Sequence, residues 1–185
     1  MKGILGITGT PATGKKTVAP IVAARLGAKC LSINELAKSY GLVGAGSEVD
    51  VEKLRSKLQR DIDLNAVVHG HLLPHVFDSR AVCRAVVLRC EPGVLKDRLL
   101  RRGYEQAKVV ENVEAELIGV VSSDSYDAFG EAKVWELDTT HTTPEEVAAA
   151  VVKIAGPSPK PVPRIDWTLD YDSGAKLRLL LSTAE

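Results

Sequence analysis

The sequence predicts an α/β fold in which a five-stranded, doubly wound parallel sheet is covered by helices on both faces. Five short apolar runs alternate with helical segments along residues 3–155, and this alternation is typical of parallel sheets. One run, residues 85–88, is apolar throughout, as expected for a strand that is buried on both faces. The 185 residues, 45% of them apolar, suffice for one such domain and a short appendage.

The elements follow from local periodicity and from residues that begin or end helices. Apolar residues at helical spacing predict a helix after the first strand, and Gly27 ends it. Asn34 or Ser32 caps the next helix, and Thr143 followed by Pro144 is a strong helix start. We predict strands over residues 4–7, 28–31, 66–68, 84–88 and 133–137, and helices over 17–26, 34–40, 51–58, 92–102, 109–126 and 144–154.

Composition excludes several classes of protein. A formal net charge of zero argues against a globally basic nucleic-acid binder. Cys30, Cys83 and Cys90 show no C-x-x-C spacing, so we expect reduced thiols in the core. No apolar run reaches the ~18 residues of a membrane span, and the N-terminus does not resemble a signal peptide. We therefore expect a cytoplasmic protein without a membrane partner.

A glycine-rich loop, G-T-P-A-T-G-K-K-T at residues 9–17, separates the first strand from the first helix. Gly9, Gly14 and Lys15 have the spacing of a P-loop, whose backbone N–H groups surround phosphate oxygens at a helix N-terminus. Lys15 supplies a positive charge for the outer phosphates. Lys16 takes the usual Ser/Thr position and either binds a second phosphate or is solvated, so the hydroxyl for Mg²⁺ comes from Thr17.

The loop has the G-x-P-x-x-G-K-x-T arrangement and in this respect resembles the nucleoside monophosphate kinases. Ala12 stands where those kinases usually carry a third glycine. We expect the loop to keep its shape only if the backbone of Ala12 needs no positive φ.

The third strand ends in His69-Gly70-His71, at the sheet edge where enzymes that handle phosphates commonly place catalytic groups. His69 and His71 are therefore candidate catalytic residues. Together with His75 they also have a spacing, H-x-H-x-x-x-H, that is compatible with zinc ligands.

Two segments are predicted to lie over the cleft. A glycine-rich segment at residues 41–47 predicts a mobile flap. Arg98, Arg101 and Arg102 share a helix face, which is either a solvated basic surface or part of a lid at about 101–111. Residues 156–185 form a proline-rich linker and a C-terminal docking tail, in which leucines at 177–181 predict a short helix.

Residues 3–155 resemble the adenylate kinase isoenzyme six family of P-loop proteins. The resemblance rests on GTPATGKKT, INELA, HGHLLP, VVLRC and above all LLRRGYEQAKVVENVEAE. It implies Mg²⁺ with ATP as cofactor, transfer of phosphate to AMP to give two ADP, ATPase activity, and a role in small ribosomal subunit maturation with a ribosomal protein and pre-ribosomal rRNA as partners. It also implies that Gly14, Lys15, Lys16 and Thr17 hold the ATP phosphates and that Arg102 contacts ATP from the lid. Residues 33–50 would form the flap that binds the monophosphate.

Two alternatives remain at this stage: an ATP-switched assembly factor with little kinase activity, and a small-molecule kinase of the shikimate-kinase type. One departure from the family bears on both. The family's third-strand motif reads acid-x-His, whereas this chain has His69 at the acidic position. We expect slow catalysis or a carboxylate from elsewhere, with Asp78 and Asp138 as candidates.

Overall fold

The computed structural model describes residues 3–44, 48–61 and 65–182. Its five strands form one parallel sheet in the order β2-β3-β1-β4-β5, which confirms the predicted fold class. The strands are β1 (Ile4–Thr8), β2 (Lys29–Ser32), β3 (Ala66–His69), β4 (Val82–Arg89) and β5 (Val134–Asp138).

Most of the described α-helices lie within a few residues of the predicted positions, and the short helix Leu73–Val76 was not predicted. Their bounds are α1 (Lys15–Leu26), α2 (Ile33–Ser39), α3 (Val51–Asp61), α4 (Leu73–Val76), α5 (Pro92–Arg101), α6 (Gln106–Leu117), α7 (Val120–Phe129), α8 (Pro144–Ala155) and α9 (Gly174–Leu181). None of these helices is long and apolar enough to pass through a lipid bilayer.

Local sequence accounts for most helix boundaries. Ser32 rather than Asn34 caps α2, because its Oγ accepts a hydrogen bond from Glu35 N. Thr143 and Glu146 form a reciprocal capping box at the start of α8. The single helix predicted over 109–126 is wrong: Gly119 has φ 68, and this left-handed residue separates α6 from α7.

The sheet has a separate apolar core on each face. Leu5 and Val67 belong to the cluster beneath α1 and α8, whereas Ile4 and Val68 belong to the cluster beneath α3, α4 and α7. Successive side chains of the central strands point to opposite faces of the sheet, so these strands contribute apolar residues to both cores, as expected for a doubly wound sheet. Cys30 departs from the expected core position, because it is exposed on the edge strand β2.

A third apolar cluster joins α5, α6 and the C-terminal segment. Leu180 of α9 is 6% exposed and packs with Leu95, Leu99 and Val109. Lys96 Nζ donates to the carbonyl oxygens of Leu180 and Ser182, each at 2.8 Å, near the end of α9. The predicted docking tail, described over residues 156–182, therefore packs against the domain of its own chain.

Candidate active site

The P-loop follows the central strand β1, and its shape depends on two glycines. Gly9 has φ 134, and a Cβ on it would lie 2.3 Å from the carbonyl oxygen of Leu88 on β4. Gly14 has φ 103 and open space around its Cα. Any side chain at these positions would strain the backbone, and at Gly9 it would also collide with the sheet.

Ala12 also has positive φ, at 70°, and the loop keeps its shape, so the expectation that it could do so only without positive φ at this position is wrong. A non-glycine residue there costs on the order of 1–3 kcal/mol of backbone strain. The side chain of Ala12 is 5% exposed and packs in the third apolar cluster with Leu95 and Leu99. Packing and loop hydrogen bonds hold the strained conformation, as in the bond from Thr13 Oγ1 to Thr10 O at 2.9 Å.

Lys15 has no carboxylate partner among the described residues. Its Nζ donates to the carbonyl oxygens of Gly9 at 2.6 Å and Thr10 at 2.8 Å. Burial lowers the pKa of Lys15 to about 7, Glu116 opposes this shift, and Arg102 adds to it. A phosphate oxygen bound in the loop would supply the negatively charged partner that the ammonium group of Lys15 lacks.

The predicted site residues surround one cleft with a volume of about 290 Å³. Lys16, Thr17 and Arg102 are exposed at it, and none makes a hydrogen bond or ion pair through its side chain within the described ranges. The cleft is lined by Pro11, Ala12, Gly14, Lys15, Lys16, Thr17, Ser32, Asn34, His69, Gly70, His71, Arg102 and Tyr104. The structure thus brings together parts of the loop, β3, α2 and the lid.

The three lid arginines have different surroundings, although Arg98 and Arg102 both line the cavity that extends toward Thr139. Arg102 lines the cleft, and Arg98 Nη2 donates to the carbonyl oxygens of Thr139 and Thr140 at 2.8 and 2.9 Å. Arg101 is exposed and lines none of the cavities described here. Arg98 therefore holds the C-terminal end of α5 against the loop after β5, whereas the side chain of Arg102 remains available to contact a ligand.

The two histidines at the end of β3 have lowered pKa values. Burial lowers the pKa of His71 to about 4, and the positive charge of Lys15 adds to this effect. Burial and Lys15 also lower the pKa of His69, although Glu35 partly opposes them. Both imidazoles are therefore neutral at pH 7. The zinc alternative gains no support, because no group of three or more metal-ligating side chains occurs in the described part of the chain.

Neither Asp78 nor Asp138 supplies the carboxylate that His69 replaces. Asp78 precedes β4, pairs with Arg80, and lies at the opposite edge of the sheet from the P-loop. Asp138 ends β5, where it accepts hydrogen bonds from Thr140 and does not line the cleft. Among the lining residues of the cleft none is acidic.

Two further cavities adjoin the cleft. One, of about 270 Å³, shares Gly14, Thr17 and Arg102 with it and extends toward Thr139 and Val147. The other, of about 400 Å³, shares Asn34 and His71 with it and lies beneath the predicted flap. Residues 45–47 of that flap lie outside the described residues.

A buried ionic network below the P-loop was missed by sequence reasoning. Arg89, 2% exposed, donates to Glu116 and Glu136, with both N–O distances at 2.7 Å. Burial opposes the charge of Arg89, but the two carboxylates outweigh it and raise its pKa. Arg89 lies in VVLRC and Glu116 in the lid signature, so the resemblance contained these residues without indicating their contacts.

Comparisons with known proteins give the chain a family. The AAA domain family matches residues 5–119. A putative adenylate kinase of Thermococcus onnurineus is 34% identical over 182 residues, covering 96% of this chain and 98% of its own. A putative adenylate kinase of Thermococcus gammatolerans is 38% identical over 174 residues, covering 91% and 95%.

The fold has solved counterparts. A shikimate kinase from Acinetobacter baumannii in complex with shikimate superimposes with a TM-score of 0.57 at 16% identity, covering 83% of this chain and 92% of that one. Because this identity is low, the likeness shows the fold alone. The sequence relatives show more, and they agree with the resemblance drawn from the motifs: the chain belongs to the family of P-loop proteins that includes these archaeal putative adenylate kinases.

Proposed function

We propose that the protein is an ATP-dependent nucleoside monophosphate kinase that transfers the γ-phosphoryl group of ATP to AMP. The observation that carries this proposal is the row of three adjoining cavities, with the P-loop cleft in the middle and an open cavity on each side. A phosphoryl transfer between two nucleotides needs this order: donor base, phosphates, acceptor. Relatives bearing the name putative adenylate kinase support the same assignment.

The cavity of about 270 Å³ fits the base and ribose of the donor nucleotide. It combines apolar surface from Val18 and Val147 with hydroxyl groups from Thr139 and Thr142. Such a mixture of apolar walls and a few polar groups is typical of small-molecule sites. Arg102 lies between this cavity and the cleft, so one side chain would contact a nucleotide that occupies both.

The cleft fits Mg²⁺ that arrives with ATP better than a separately bound metal ion. Its lining residues offer the hydroxyl of Thr17 and no carboxylate. Mg²⁺ is commonly held by one or two protein groups, substrate phosphates and water, and a nucleotide would supply the phosphates here. Bound there, Mg²⁺ would neutralise charge on the phosphates.

The chain's own residues would act chiefly by charge and position. Lys15, Lys16 and Arg102 provide positive charge around the phosphates, where charge spreads in the transition state. His69 and His71 are neutral at pH 7 and supply hydrogen bonds without negative charge. We therefore expect a weaker hold on the water shell of the metal than an aspartate would give.

The cavity of about 400 Å³ is the proposed acceptor site. Lys38 is its one cation among the described lining residues, and Glu48 opposes it there. This balance is weak for a doubly charged phosphate, and it favours a second candidate function: an ATPase that acts as a switch in small ribosomal subunit maturation. A shikimate-type kinase is less favoured, since no arginine lines this cavity to bind a substrate carboxylate.

The test measures ATP turnover by the purified protein with and without AMP, and with small-subunit ribosomal components. A kinase produces two ADP per ATP consumed only when AMP is present. ATP turnover that is independent of AMP and increases with ribosomal components would favour the ATPase switch over the kinase. No turnover and no ATP binding under any condition would end both proposals.

A further inference from the structure

Glu116 connects four parts of the molecule below the P-loop. It is 1% exposed and lies in the last turn of α6, the helix that follows the lid. Its Oε2 accepts a hydrogen bond from Thr10 Oγ1 of the P-loop at 2.5 Å. Its Oε1 accepts from Arg89 Nε at 2.7 Å, Cys90 N at 3.0 Å and Trp167 Nε1 at 3.3 Å. The donors come from the P-loop, from the end of β4 and from the C-terminal segment, so the carboxylate on α6 holds these three segments in a common arrangement.

We propose that Glu116 is a positioning residue for the nucleotide site, and that it acts by anchoring the P-loop through Thr10. The inference rests on the proposed function in one respect, the binding of ATP by this loop. It goes further by assigning the loop's conformation to a buried carboxylate on the lid helix.

The loop needs such an anchor because its conformation is strained. Ala12 lies two residues after Thr10 with φ 70, a backbone state that alanine leaves when it is free to do so. The carbonyl oxygen of Thr10 also accepts hydrogen bonds from Lys15 Nζ and Thr13 Oγ1. Fixing Thr10 therefore fixes the turn and the lysine together, so that the loop is ordered before a nucleotide binds.

The anchor also joins the loop to the lid. Gln106 begins α6 just after the lid residues Arg102 and Tyr104, and Glu116 lies ten positions along the same helix, about 15 Å away. A helix of this length transmits its position as a rigid element. The position of the lid helix and the shape of the P-loop are therefore tied through one hydrogen bond.

The C-terminal segment completes the arrangement. Ile165 donates its N–H to Glu136 Oε2 at 3.2 Å and accepts from Arg89 Nη1 at 3.0 Å, next to the contact between Trp167 and Glu116. This segment therefore adds contacts to all three charged residues of the network, Arg89, Glu116 and Glu136. The acid that anchors the loop is consequently shielded from water, which strengthens its hydrogen bonds.

The experiment removes the anchor at Thr10, because a change at Glu116 would also leave Arg89 without one of its partners. Thr10→Val keeps the shape of the side chain and deletes the hydroxyl, whereas Thr10→Ser keeps the hydroxyl. Thr8→Val is the matched control: Thr8 is fully buried on β1, and its Oγ1 has no hydrogen-bond partner within residues 3–44, 48–61 and 65–182. Dissociation constants for ATP with Mg²⁺ and for AMP are measured by calorimetry.

We expect Thr10→Val to weaken ATP binding about tenfold, as for loss of a hydrogen bond to a charged group. AMP binding should change less than twofold, since the acceptor cavity contains no part of the anchor. Thr10→Ser and Thr8→Val should bind ATP within about twofold of wild type.

Three results would overturn the inference alone while wild-type protein binds ATP: unchanged ATP affinity in Thr10→Val, an equal loss of ATP and AMP affinity, or failure of Thr10→Ser to restore ATP binding. Wild-type protein without affinity for ATP would overturn the proposed function and this inference with it.

Discussion

Cations lie on either side of the P-loop, and the two sets differ in their partners. In the cleft, Lys15 is bonded only to backbone carbonyl oxygens, and Arg102 has no charged partner among the described residues. Below the loop, Arg89 is paired with two carboxylates and bonded to Ser122 and two backbone carbonyl oxygens.

The difference separates binding from architecture. A buried cation that is neutralised by carboxylates of its own chain holds segments together and is not available to bind a ligand. A cation held only by weak backbone acceptors remains poorly neutralised, and burial depresses the pKa of Lys15 as a result. The cleft is therefore the part of the molecule that an anion would stabilise.

Arg89→Met should give the largest loss of stability. It leaves Glu116 and Glu136 buried without their cation, at a cost of about 3–5 kcal/mol. Arg84→Met on the same strand is the control, because Arg84 bonds only the carbonyl oxygen of Ala155 and stacks over Trp135. Its loss should be about 1 kcal/mol. Urea unfolding of both variants measures the difference, and equal losses would contradict an architectural role for the network.

Lys15→Ala should abolish most ATP binding and turnover while leaving the fold intact. Lys15 is the partly buried lysine of the loop, whereas Lys16 is exposed, so we expect a loss of about 100-fold or more in ATP turnover from the change at Lys15. Lys16→Ala is the control, and we expect a smaller loss because Lys16 is exposed. Steady-state kinetics and a melting curve check this prediction. Undiminished turnover in Lys15→Ala would rule out the P-loop assignment.

Arg102→Ala should lower turnover more than it weakens ATP binding. A lid arginine acts mainly once charge spreads in the transition state, so we expect kcat to fall about 10- to 100-fold and the ATP dissociation constant to change severalfold. Arg101→Ala, which alters the exposed neighbour, should leave both constants near their wild-type values. A change in ATP affinity alone would show that Arg102 binds the ground state only.

His71 should make a small, pH-dependent contribution to stability. Its pKa is lowered from 6.5 to about 4 in the folded state, so the unfolded chain binds more protons between these values. Stability from this group is full above pH 6.5 and is lost as the pH falls toward 4. Unfolding free energies at pH 7, 6 and 5 should therefore fall less steeply for His71→Asn than for wild type. Parallel slopes would contradict the lowered pKa.

Local sequence determined most of the fold. The five apolar runs became the five strands, because each is bounded by residues that end a strand, and glycine spacing located the P-loop between β1 and α1. The capping residues at Ser32 and Thr143 act on N–H groups within three positions of themselves, so they are visible without tertiary information. The glycine spacing also located Lys15, and the third apolar run located His69 and His71 at its end, whereas the role of Arg102 followed from the family resemblance.

Contacts between distant segments decided the rest. In sequence Glu116 and Glu136 are ordinary acidic residues, and only the meeting of α6, β4, β5 and the C-terminal segment buries them around Arg89. The positive φ of Ala12 also depends on tertiary packing, since the local preference of alanine opposes it. The leucines at 177–181 predict a short helix but not its partner, so nothing local indicates that Leu180 enters a core formed by α5 and α6. Burial is a property of the assembled chain, and it determines whether a charge binds a ligand or supports the fold.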